Sequence, residues 1–237
     1  MATIAQTATA TIDTNASTYS YTTSSGNALA IGADGGNDVI YIGAGARTVA
    51  DASTATVAVD GVSADLIIQH DYNEGSGIRS LAGIWAVDRN DLPDASQTDI
   101  DVVIEYNAGC LRNAVVAAVT ADAVKAATDT ATQDAGSAGD LNVDTTTGGV
   151  VMGFALNGDP NAFTWSGLTE ETDADLEAAN RYSSAYASNV SAETPRSVDF
   201  TVSSDFSASV AASFAEAAAG GTAVPVFRNH YRRMKAA

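Results

Sequence analysis

Apolar residues recur in this chain with a period of two, in runs of five to eight residues separated by turn formers. The clearest run is Ile100, Val102, Ile104 and Tyr106, alternating with Asp101, Val103 and Glu105. Successive side chains of an extended strand point to opposite faces, so the spacing puts the first set in a core and Asp101 and Glu105 in water. Thr54–Val59 leads into Asp60-Gly61, and Val62–Ile68 leads out. Asp-Gly supplies the positive φ angles of a tight type I′ turn, so these segments predict a hairpin. Further strands are predicted over 28–31, 38–42, 84–87, 111–119, 149–156, 163–165, 198–202 and 207–214.

Helical periodicity is nearly absent. Ala121–Ala127 predicts one or two helical turns, and Thr172–Glu177 a short helix with acidic residues in its first turn. The polar, turn-rich stretch 128–147 reads as a long connection across the end of a sandwich. Together these features predict an all-β fold: an antiparallel β-sandwich, jelly-roll-like, with one short helix and a C-terminal extension. The expected organisation is an extended N-terminal arm (1–25), the β-sandwich (26–216), and a linker with a basic C-terminal segment (217–237).

Charge narrows the partners. Eleven basic residues face 29 acidic ones, a formal net charge of −18. Such a surface repels nucleic-acid phosphates and anionic lipid headgroups, so neither nucleic acid nor membrane is an expected partner. No apolar run approaches the roughly 20 residues that span a bilayer. The N-terminus lacks the basic and apolar regions of a secretory signal, which predicts synthesis in the cytoplasm. The C-terminal segment reverses the sign. Arg228, Arg232, Arg233 and Lys235 lie within eight positions, and Thr222–Ala237 holds no acid. The rest of the chain keeps seven basic residues against all 29 acids, a formal −22. Phe227 and Tyr231 are spaced i, i+4, as on one face of a short helix. Arg228, Tyr231, Arg232, Arg233 and Lys235 are therefore the candidate partner-binding residues. They fit either the chain's own acidic body or an acidic neighbour.

Catalytic signatures are sparse. His70 and His230 are 160 positions apart, with no zinc-ligand spacing and no Gly-x-Ser-x-Gly elbow. Gly32–Ile40 is similar to a calcium-binding nonapeptide, but as a single copy it reads as a glycine-rich turn. Neither metal nor cofactor is expected. Carboxylates cluster at Asp91, Asp94, Asp99 and Asp101, and at Glu170, Glu171, Asp173 and Asp175. A facing pair would suit glycoside hydrolysis, and either cluster would suit weak calcium binding; solvated acid is the plainer reading in so acidic a chain. Cys110, the only cysteine, reads as a small core residue. Trp85, Trp165, Tyr106, Phe154, Phe200 and Phe214 fall on inward positions. Tyr19, Tyr21, Tyr72, Tyr182 and Tyr186 lie in polar stretches and are candidates for contact with another surface.

Three segments, Ala58–Ile68, Gly83–Asp88 and Thr98–Tyr106, follow the order of a Val-x-Val-x-Gly-x-x-Ala hairpin, an aromatic strand and an Ile-x-Val-x-Tyr/Phe strand. This order, closed by Ser207–Phe214, resembles β-sandwich domains in structural proteins of tailed bacteriophages. The resemblance implies a non-catalytic virion protein: a head decoration or cement protein, a spike, or a fibre component. It implies a homo-oligomer, a trimer by preference, that contacts the major capsid protein or another virion protein. It marks no functional residue. A carbohydrate- or receptor-binding module is the alternative, and a glycoside hydrolase a more remote one.

Overall fold

The computed structural model describes residues 1–36, 38–48, 53–75, 78–134, 138–176, 180–203 and 207–218. Among the described residues, twenty strands follow one another. The first ten are β1 (Thr3–Ile12), β2 (Ala16–Tyr21), β3 (Leu29–Ala30), β4 (Asp38–Thr48), β5 (Ala55–Val59), β6 (Val62–Ser63), β7 (Asp65–Gly75), β8 (Ile78–Asp88), β9 (Asp99–Ile100) and β10 (Val102–Ala121). The second ten are β11 (Ala123–Gln133), β12 (Ala138–Asp140), β13 (Val143–Thr145), β14 (Gly149–Asn157), β15 (Phe163–Ser166), β16 (Thr169–Asp175), β17 (Arg181–Val190), β18 (Glu193–Arg196), β19 (Asp199–Val202) and β20 (Ser207–Glu216).

The spine is β10, 20 residues long, which the alternation pattern had divided into two strands. Its first half pairs with β2 and β5, and its second half with β1 and β4. The register shifts between Cys110 and Arg112, where the strand passes from one set of neighbours to the other. The eight-stranded sheet runs β6-β5-β10-β4-β8-β7, with β1 and β2 added along β10. It curls into a jelly-roll-like half-barrel. Near its seam a side chain stands in for a backbone ladder: Gln69 accepts from Ala55 N at 2.9 Å and donates to Ser53 O at 2.6 Å. A five-stranded sheet, β11-β20-β14-β17-β16, packs on the half-barrel, and the small sheets β12-β19-β15 and β13-β18 cover its other face. The architecture is the expected antiparallel β-sandwich.

Alternation along each strand sorts side chains among three cores. On β4, Ile40, Ile42, Ala44 and Ala46 face the inside of the curl with Trp85 and Ile104. Val39 and Tyr41, on the opposite face, meet Val150, Phe154 and Phe214 of the five-stranded sheet. On β14, Val151 and Ala155 turn away from that contact toward Phe163, Trp165 and Phe200. The central strands of both large sheets are therefore buried on both faces; every residue of β14 is buried. Side-chain size on one surface then limits the other. A Cβ at Gly43 would sit 2.9 Å from the Phe154 ring, and one at Gly45 only 2.8 Å from it. Gly153 stands in the same relation to Trp165, at 2.7 Å.

The Asp60-Gly61 turn forms as expected, with φ of 50° and 80° and Val59 opposite Val62, but the strand pairing ends at Ala58 and Ser63, and Asp65–Ile68 of the expected outgoing arm pairs with β8 instead. The helices do not. Among the described residues there are only two 3-10 turns, Thr23–Ser25 and Arg89–Asp91. Thr172–Asp175 belongs to β16, where Asp173 lies opposite Ser183 and Asp175 opposite Arg181. Ala121–Ala127 spans the end of β10, a one-residue reversal at Asp122 (φ 56°) and the start of β11. Alanine favours helices in isolation. In sheets packed on both faces its small volume is what fits, and burial overrides the weak propensity. The expected connection over 128–147 is largely strand too: Thr128, Thr130 and Thr132 face solvent while the backbone of β11 pairs with β20. Residues 1–25 supply β1 and β2, laid along β10.

Gly43→Ala should lower stability by about 1–3 kcal/mol, the usual cost of overpacking a close-packed core. In a Phe154→Leu background the same substitution should cost less, because the ring it strikes is gone. Denaturant titration of the four proteins checks this; an undiminished penalty would show that Phe154 is not the obstacle.

Candidate functional site

Ionisable groups gather in several places among the described residues, and in each the chain largely meets its own charge. The glycine-rich turn comes first. Gly35 N donates to Asp38 Oδ2 at 2.8 Å, and Gly36 N to Asp34 Oδ1 at 2.8 Å. Arg89, fully buried, approaches from the 3-10 turn, with Nη1 3.4 Å from Asp38 Oδ2 and Nε 3.9 Å from Asp34 Oδ1. The same guanidinium donates to Ala95 O and Gly32 O at 2.8 Å each. The segment similar to a calcium loop is thus clamped by an internal cation. Among the described residues no three His, Cys, Asp or Glu side chains are placed to hold a metal ion. Asn37 lies outside the described residues.

The first acidic cluster is dispersed. Asp94 accepts from the Ser96 hydroxyl at 2.6 Å and amide at 2.9 Å, which hold its carboxyl below the ordinary value. Asp101 accepts from Thr23 N at 2.7 Å, Asp99 from the Thr98 hydroxyl at 3.0 Å, and Asp91 faces Lys125. In the second cluster, Arg181 takes Asp173 and Asp175, each at 2.6 Å. Burial pushes the Glu170 carboxyl up and Asp173 adds to the shift, while Arg181 opposes it. His70, on β7, sits 2.5 Å from Asp134 and ties the half-barrel to the end of β11.

Two hollows stand out. One, of about 370 Å³, opens near the seam against Val57, Leu66 and Trp85; its only ionisable lining residue is Glu105. The other, of about 440 Å³, is acidic: Asp38, Asp88, Asn90 and Asp91 line it together with Val39, Ala123, Ala217 and Ala218. Lys125 stands beside it, 2.9 Å from Asp65, 3.3 Å from Asp88 and 3.9 Å from Asp91. The Asp65 contact is the main cause of its raised pKa. One ammonium thus serves three carboxylates. Ala217 N donates to Asp122 O at 2.7 Å, so the end of β20 is fastened at the hollow's wall. The candidate partner-binding residues Arg228, Tyr231, Arg232, Arg233 and Lys235 follow this point and lie outside the described residues.

The tyrosine expectation needs correction. Tyr19, Tyr21 and Tyr182 are buried, and only Tyr72 and Tyr186 keep partial exposure. Polar sequence neighbours misled because the hydroxyls are satisfied inside. Tyr21 donates to Asn113 Oδ1 at 2.5 Å, and Asn113 Nδ2 bonds Gly45 O at 3.0 Å and the Tyr106 hydroxyl. Tyr19 Oη lies 2.8 Å from Cys110 O. Sequence reasoning missed Asn113 as the hub of this network, just past the register shift of β10; a lone Asn inside an apolar run is the signal that was available. Cys110 is buried as expected, and burial pushes its thiol up to about 12.

The comparisons with known proteins add little. No family model matches the chain, and no curated protein matches it. Among solved structures, a chain from the atomic structure of Sulfolobus Turreted Icosahedral Virus aligns over 88% of this chain and 90% of that one, at 10% identity and a TM-score of 0.22. A likeness of that size carries no argument about function. The class defined here rests on the fold: an all-β sandwich around a curled half-barrel.

Removing the Arg89 guanidinium should be costly. Arg89→Leu strands Asp38 and the carbonyls of Gly32, Ala95 and Gln97, and should destabilise by about 3–5 kcal/mol, read from denaturant curves. Alkaline titration probes the tyrosine network. Burial raises Tyr19, Tyr21, Tyr41 and Tyr106 above their ordinary 10.0, and Cys110 above 9.0. A folded pKa above the unfolded one stabilises fully below the unfolded value and loses that stabilisation as pH rises through the folded one. Stability should therefore fall from about pH 9 upward. Tyrosinate absorbance from the buried rings should appear together with loss of the β circular dichroism signal. Ionisation of all the tyrosines in an intact fold would contradict this.

Proposed function

We propose that the chain is a non-catalytic virion structural protein, a head decoration, cement or fibre component of a tailed phage. On this reading it acts by assembling with copies of itself, by preference as a trimer, and by contact with a capsid protein. The observation that carries the reading is how side chains are used. Small residues let the two large sheets bury both faces, and the charged side chains pair across strands in ways that brace the body. Arg79 on β8 pairs with Asp71 on β7, and Arg181 on β17 with Asp173 on β16. The hairpin and strand pattern at 58–68, 83–88 and 98–106, which resembles phage structural proteins, supports the same reading. So does the negative charge, which disfavours nucleic acid. The basic C-terminal segment is the part of the chain fitted to an acidic surface, and every copy presents one.

Sedimentation of the full chain tests the proposal. A closed oligomer with the mass of three chains is expected, joined by interfaces above about 1,000 Å², together with co-sedimentation on particles from the phage that carries the gene. A monomer at every concentration, with no particle binding, would overturn it.

A further inference from the structure

We propose that the half-barrel opens at the seam between β5 and β7, and that Gln69 is the latch that closes it. The two ends of the eight-stranded sheet meet there, β6 and β5 on one side and β7 on the other. Among the described residues, the hydrogen bonds that join β5 and the preceding Ser53 to β7 are the two made by the Gln69 side chain. It accepts from Ala55 N at 2.9 Å and donates to Ser53 O at 2.6 Å. The edge of β7 is irregular at this point. Leu66 lies opposite Trp85 and Ile68 opposite Ile84, which leaves Ile67 as an extra residue. Such a bulge bends its strand and carries the backbone groups out of line with a neighbouring edge. A long amide side chain spans the gap that a backbone ladder does not.

The two sides of β5 are held very differently. Toward β10 the whole strand is paired, Ala55–Val59 against Val102–Tyr106. Both ends of that ladder are tied as well. Asn107 Oδ1 accepts from Ser53 N at 3.0 Å and from Thr54 N at 3.2 Å, and Asp60 Oδ1 accepts from Asp101 N at 2.9 Å. Toward β7 there is Gln69 and then the hollow of about 370 Å³, so part of the seam is not close-packed. Leu66, which lines the hollow, is 55% exposed and contributes little apolar burial. Proteins open locally where buried contacts and hydrogen bonds are fewest, at a free energy well below that of global unfolding. β5 therefore stays on β10 while the seam parts. Opening makes Val57 and Trp85, both buried and both lining the hollow, accessible from outside.

The inference is independent of the virion reading, because it concerns motion within one body and not the association of copies. Hydrogen exchange of the full chain, read by mass spectrometry with fragmentation to single residues, tests it. In the wild-type protein the Ala55 amide should exchange faster than the amides of β14 and β20. Gln69→Leu keeps a side chain of similar size and removes both hydrogen bonds. It should speed exchange at Ala55 by about tenfold, the loss that net hydrogen-bond strengths imply, and leave β14 and β20 unchanged. An Ala55 amide as protected as β14 and β20 in the wild-type protein would overturn the inference. So would a Gln69→Leu variant without effect, or one whose faster exchange is spread evenly over the seam, β14 and β20. The wild-type comparison needs no variant, so it decides the matter even where Gln69→Leu fails to fold.

Discussion

Phe154 lies across Gly43 and Gly45, and much of the architecture follows from that contact. The half-barrel and the five-stranded sheet meet there through an aromatic ring on one side and bare backbone on the other. Any side chain on β4 at those positions would push the sheets apart. Trp165 over Gly153 repeats the arrangement one layer further out. A chain that stacks layers this way needs small residues in its central strands and few large ones placed with care. The alanine-rich, aromatic-poor composition is what that requirement looks like in sequence. Interiors pack at the density of organic crystals, so the cost of an extra methyl group is local and immediate.

Polar groups inside the body follow a different logic. Asn113 and Arg89 each draw together segments that are far apart in the chain. Asn113 joins β10 to Gly45 on β4 and to Tyr21 on β2; Arg89 joins the turn at Gly32 to the loop at Ala95. Apolar contacts of similar size would tolerate sliding of one strand against another. A buried amide or guanidinium with fixed directions does not, because a shifted register would leave its partners unpaired in a medium of low dielectric. These two residues tie the registers of the segments they join to one another.

The strands were legible from sequence where one face is polar. Ile100 to Tyr106 could be read position by position, and the Asp60-Gly61 turn was visible from its two residues. Legibility failed where both faces are buried or the residues are ambivalent. Ala121–Ala127 resembled a helix because alanine carries no information about which face is covered. Thr172–Asp175 resembled one because acids near a helix start look the same as acids that pair with an arginine on the next strand, here Arg181. The tyrosines at 19 and 21 looked exposed because their partners, Cys110 and Asn113, lie some 90 positions away. Arg89 gave no sign at all. A guanidinium in a turn is ordinarily solvated, and the carbonyls that hold it come from segments that only the fold brings together. The acidic hollow was hidden for the same reason: Asp38, Asp88 and Asp91 become neighbours of Ala217 and Ala218 only when β4, β8 and β20 converge.

The start of β1 and the end of β20 emerge side by side, held by the Met1 ammonium on Glu216 and by Ala2, whose amide reaches Gly148 O at 2.8 Å. Anything attached before the first strand or after the last leaves the body from the same place. A cargo peptide fused at either position would be displayed on one pole of the body, and the opposite pole would stay untouched. The body can be read as a ring cut at that point. A short bridge across the cut, with a new opening in an exposed turn such as Asp60-Gly61, gives a reordered chain with the same packing.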